Sequence, residues 1–77
     1  MLSQEETIIN ILAEHFSVPH KEINIDTHLV NELNADSLDS IEIVLEVEKA
    51  FDIEVDDDDI DNINTVQDIA NLVQELS

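Results

Sequence analysis

The sequence predicts an all-α fold: a small four-helix bundle of three long helices and one short one, with a long loop between helices 1 and 2. Three observations predict it. Glycine is absent and proline occurs once, so the turn residues that hairpins need are missing. Apolar residues, mostly Ile, Leu and Val, recur at helical spacings. Helix-start residues stand ahead of apolar stretches at Ser3, Asp36 and Thr65. Seventy-seven residues have room for one core, hence a single domain over 1–77.

Ser3-Gln4-Glu5-Glu6 reads as a capping box, with Ser3 as N-cap and Glu6 reaching back. Behind it Ile8, Ile9, Ile11, Leu12 and Phe16 form one apolar face that ends before Pro19. Residues 17–35 are expected to be a long connection anchored by Ile23, Ile25, Leu29 and Leu33. The second helix starts at Asp36 and runs to about Phe51. Residues 56–63 have room for one short helical turn. Thr65 caps a last helix in which Val66, Ile69, Ala70, Val73 and Leu76 follow the core-facing pattern.

Charge narrows the function. Two lysines face 20 acidic residues, giving a formal net charge of -18. Such a surface repels phosphate backbones and anionic headgroups, which disfavours nucleic acid and membrane surfaces as partners and favours basic protein patches. The 43% hydrophobic content, regularly spaced, argues for a folded chain despite that charge. Its core supplies about 3–5 kcal/mol net. Cysteine is absent, removing disulfides, thiolate catalysis and the common zinc sites. No purely apolar run exceeds three residues, and neither a signal peptide nor a basic, Ser-rich leader is visible. A cytoplasmic monomer is the expectation.

The second helix has two apolar faces. At roughly 100° per residue, Ile43, Val44, Val47, Ala50 and Phe51 share one side, the expected core face. Leu38, Ile41 and Leu45 fall nearly opposite, among Glu42, Glu46 and Glu48, with Lys49 the only cation. An exposed apolar strip ringed by carboxylates is the pattern of a docking site for a basic partner. The competing expectation packs Leu38 and Ile41 beneath the long loop. Ser37 follows the cap Asp36, so it takes the first helical position, where the helix dipole and first-turn N–H groups tolerate an attached phosphate.

The segment Leu33-Asn34-Ala35-Asp36-Ser37-Leu38-Asp39-Ser40-Ile41-Glu42 resembles the attachment motif of the acyl carrier proteins. The resemblance extends over nearly the whole chain, through Glu48-Lys49-Ala50-Phe51-Asp52, the Asp-rich short helix and Thr65-Val66-Gln67-Asp68. It implies a carrier, not a catalyst. In that family a Mg²⁺-dependent holo-acyl-carrier-protein synthase transfers 4′-phosphopantetheine from coenzyme A to a serine, here Ser37, and the arm's thiol holds acyl chains as thioesters. That agrees with a chain lacking sulfhydryls of its own.

The same resemblance assigns docking of basic enzymes to Asp36, Leu38, Asp39, Glu42, Leu45 and Glu48. It makes fatty-acid synthesis the expected pathway, with polyketide, lipid A or other specialised acyl transfer as the alternative. Lys49 departs from a common carboxylate; Ser17 and Asn34 replace frequent glycines. An acidic interaction module without a prosthetic group is the alternative of another class. It accounts for the charge but not for Ser37 or the second stripe.

The remaining signals are weak. Asp56-Asp57-Asp58-Asp59 lacks the central Gly and closing Glu of an EF-hand loop, so a solvated acidic turn is expected. His15, His20 and His28 share no metal-ligand spacing, and no metal is assigned. His15 is expected to serve the C-terminus of its own helix. Ser37 with scattered His and Asp makes no catalytic triad, and no glycine-rich turn exposes a nucleophile.

Overall fold

The computed structural model describes residues 3–77. The elements are α1 (Gln4–Phe16), a single 3₁₀ turn (His20–Glu22), α2 (Leu29–Leu33), α3 (Ser37–Phe51), α4 (Asp57–Asp61) and α5 (Val66–Leu76). The three long helices and the short α4 are those the sequence predicts. α2 is an addition within the expected loop. α1 packs against both α3 and α5, so its apolar face is the centre of the core. Ile8 and Leu12 of α1, Leu29 of α2, Ile43 of α3 and Val66, Ile69 and Val73 of α5 are essentially inaccessible to solvent. Among the described residues no helix is long and apolar enough to cross a membrane.

Local chemistry sets the ends of the helices. Ser3 accepts the Glu6 N–H at 3.1 Å, but Glu6 returns to the Ser3 hydroxyl at 3.3 Å rather than to its N–H, so the expected capping box is half formed. α1, α2 and α3 each stop at a residue in the left-handed region, Ser17 (φ 56°), Asn34 (φ 57°) and Asp52 (φ 55°). Two of these are the positions where the resemblance noted glycine. A serine there strains its backbone where glycine would not. Ser17→Gly should therefore raise stability by about 0.5–1 kcal/mol, while Asn34→Gly gains less because asparagine tolerates this conformation. Urea denaturation of the two variants measures both effects.

The loop is pinned to the start of α5. The N–H groups of Val66 and Gln67, in the first turn of that helix, donate to the carbonyls of Thr27 (3.2 Å) and Ile25 (2.9 Å). These are donors that the helix itself cannot satisfy. Leu29 N–H donates in return to the Asn64 carbonyl at 2.9 Å. Buried Thr27 accepts from Asn24 N–H at 2.9 Å, closing the turn between them. α2 itself is capped at both ends of its first turn: His28 Nδ1 accepts Asn31 N–H (3.3 Å) and Glu32 accepts His28 N–H (2.6 Å). It ends with Asn34 and Ala35 N–H on the carbonyls of Val30 and Leu29, each at 3.1 Å.

Two expected core positions are corrected. Ala50 and Leu76 are exposed. Both lie in the last turns of their helices, where the periodicity continues past the packed core. Thr65 and Asp68 form the α5 capping box. Partial burial pushes the Asp68 carboxyl up, but the N–H groups of Asn64 (2.9 Å) and Thr65 (3.0 Å), with the Thr65 hydroxyl, hold it below its ordinary value.

Candidate functional site

Ser37 stands where α2 hands over to α3. Asn34 turns the chain, buried Ala35 plugs it against the core and Asp36 starts the next helix. Asp36 accepts Asp39 N–H at 2.9 Å and Asp39 accepts Asp36 N–H at 3.1 Å, a reciprocal cap that fixes the first turn of α3. Ser37 is the first helical residue and exposed. Beside it opens a groove of about 420 Å³ lined by Val30, Ser37, Ser40 and Ile41 on one side and Ile60 and Ile63 on the other.

The face of α3 around that serine is apolar and acidic. Leu38 is 68% exposed, Leu45 51% and Ile41 45%, so neither Leu38 nor Ile41 packs beneath the loop. Val30 of α2, also exposed, extends the strip, which no spacing within one helix could have indicated. The carboxylates differ in freedom. Asp36 is committed to its cap, whereas Glu42 is largely exposed, 62% by side chain. Glu48 is half-buried and accepts Val55 N–H at 2.8 Å, bracing the turn after α3.

His15 does not serve the end of its own helix. Its Nε2 donates to Asp39 at 2.8 Å and lies 3.8 Å from Glu42, bridging α1 to the first turns of α3. That bond first, and then Asp36 N–H, hold the Asp39 carboxyl below its ordinary value. The donor atoms of His15, Asp39 and Glu42 lie within 4.8 Å of one another, a grouping that the His15–Asp39 hydrogen bond accounts for without an ion. His20 and His28 are placed apart from it, at the 3₁₀ turn and the head of α2.

Asp56 starts α4 without a side-chain cap, and Asp57, Asp58 and Asp59 fill its first turn. Carboxylates are favourable at a helix start, which is the solvated acidic turn the sequence suggests.

Acidification tests the two tied carboxylates. Asp39 and Asp68 have folded-state values below the unfolded 3.8, so each contributes stability above that pH. The contribution is lost as pH falls through the lower folded values. Denaturation midpoints should therefore drop below pH 3.8, and less steeply in Asp68→Ala, which has already lost its share.

The residues fit a phosphopantetheine group. An exposed hydroxyl occupies the first turn of a 15-residue helix, whose leading N–H groups lack intrahelical acceptors. The adjoining groove offers aliphatic walls (Val30, Ile41, Ile60, Ile63) for an extended arm. When bound, the group supplies a thiol that carries acyl chains as thioesters, a chemistry this cysteine-free chain lacks. The protein's own part is to present the Ser37 hydroxyl.

Comparison with known proteins agrees. A family model described as the phosphopantetheine attachment site matches residues 6–73. A structure from Mycobacterium tuberculosis, assigned as an acyl carrier protein, superposes with a TM-score of 0.88 at 30% identity, over 95% of this chain and 97% of that one. The acyl carrier protein of Enterococcus faecalis gives a TM-score of 0.81 at 28% identity, over 96% of this chain and 94% of its own. By sequence family, fold and the groove beside its α3 serine, this chain belongs to the acyl carrier proteins, carriers rather than catalysts.

Proposed function

We propose that the chain carries acyl intermediates of fatty-acid biosynthesis on 4′-phosphopantetheine attached to Ser37, working as a cytoplasmic monomer. The observation that carries this reading is the place of Ser37: exposed, first in α3, and at the edge of the groove. Asp36 and Leu38 flank it for recognition by holo-acyl-carrier-protein synthase. Leu38, Leu45, Asp36, Asp39, Glu42 and Glu48 on α3 form the docking face for this and other acyl-handling enzymes. Their basic patches complement a net charge of -18.

A flexible arm on a fixed serine presents its cargo at high effective concentration to whichever enzyme is docked. Fatty-acid synthesis is the pathway that the resemblance to the acyl carrier proteins favours, and the groove sets its aliphatic residues beside Asp36, Ser40, Asp61 and Asn64. The pathway is tested by offering the phosphopantetheinylated protein to loading enzymes of fatty-acid, polyketide and lipid A assembly. Preferential loading by the first set is expected. Loading only by one of the others would reassign the pathway.

A further inference from the structure

We propose that His15 decides which carboxylates at the head of α3 are free to meet a basic partner, a positioning role that rests on the docking face proposed above. The chain has two lysines and three histidines, and among the described residues the basic side chain found within 4.0 Å of a carboxylate is that of His15. Its Nε2 sits 2.8 Å from Asp39 and 3.8 Å from Glu42, where a docking enzyme's lysine or arginine would otherwise bind. His15 comes from α1 and is largely buried, its side chain 14% exposed, with its ring edge-on to Phe16 at 4.8 Å. It is therefore held in place and not a chance surface contact.

The hold on the two carboxylates is unequal. One Asp39 oxygen faces His15 and the other accepts Asp36 N–H, so both are occupied within the fold. Glu42, farther away and mostly exposed, keeps its outward reach. A partner's cation thus meets Glu42 at little cost but must share Asp39 with His15 and the Asp36 N–H. His15 acts as a built-in hydrogen-bond donor to Asp39, lowering general affinity for basic surfaces and leaving selectivity to Glu42 and the apolar strip. Selectivity by withholding a charge has the same logic as any discrimination between partners.

The test uses the full chain as wild type, His15→Ala, His15→Gln and, as a surface control, His20→Ala. Transfer of phosphopantetheine by a holo-acyl-carrier-protein synthase is measured with coenzyme A and Mg²⁺ at low salt. His15→Ala should lower KM about three- to tenfold with kcat unchanged, because an extra carboxylate strengthens electrostatic encounter. Adding Asp39→Asn to that variant should return KM to the wild-type range. His15→Gln, which can still donate to Asp39, and His20→Ala should stay within about twofold of wild type.

Thermal melting checks that each variant is folded, with His15→Leu in reserve to keep the packing should His15→Ala not fold. Wild-type KM in a folded His15→Ala or His15→Leu variant overturns the proposal, as does His15→Gln behaving like alanine. NMR titration of the Asp39 carboxyl gives an independent reading: its midpoint should rise toward the ordinary value without His15, and an unmoved midpoint overturns the proposal. If the synthase modifies another carrier but none of these proteins, the docking reading fails. The Asp39 titration still decides the His15 tie.

Discussion

Leu12→Ala should remove most of the protein's stability at 25 °C. Leu12 is fully buried on the helix that packs against both α3 and α5, so the truncation opens a cavity at the centre of the core. Such a change typically costs about 2–5 kcal/mol in transfer and cavity terms together. A domain of this size has only about 3–5 kcal/mol to lose. Added salt should restore part of the helicity by screening the charge of -18, without restoring wild-type stability. Circular dichroism with urea titration measures this, and a cooperative transition near the wild-type midpoint would contradict the central place of α1.

Glu42→Lys should slow phosphopantetheine transfer by about tenfold at low ionic strength, through KM and the association rate and not through kcat. Glu42 is the freest of the proposed docking carboxylates, and its replacement changes the local charge by two units beside Leu38 and Leu45. The difference from wild type should shrink as salt rises, because exposed charges are screened within about 8–10 Å at physiological ionic strength. The variant also places a cation near His15, so thermal melting accompanies the kinetics. Unchanged kinetics at low salt would remove Glu42 from the docking face.

What the sequence makes legible is what neighbours in the chain decide. Asp36 as cap, Ser37 as first helical residue and the opposed stripes of α3 follow from local chemistry and periodicity, and the structure has them there. α2 escapes that reading because it is a single turn, too short for a period and held by the distant bond from Leu29 N–H to Asn64. His15 is misread for a similar reason: its partner lies 24 residues away on another helix. Ala50 and Leu76 fit the helical pattern yet lie exposed, since periodicity does not say where the neighbouring helix ends. Glu48 looks like its acidic neighbours in sequence, but the turn after α3 brings Val55 N–H to it.

The central claim is that Ser37 carries the prosthetic group. Its most direct test is intact mass after incubation with coenzyme A, Mg²⁺ and a broad-specificity phosphopantetheinyl transferase, with Ser37→Ala alongside. The wild type should gain one phosphopantetheine and the variant none. No gain by the wild type while a known carrier is modified in the same mixture, or an equal gain by Ser37→Ala, would contradict it.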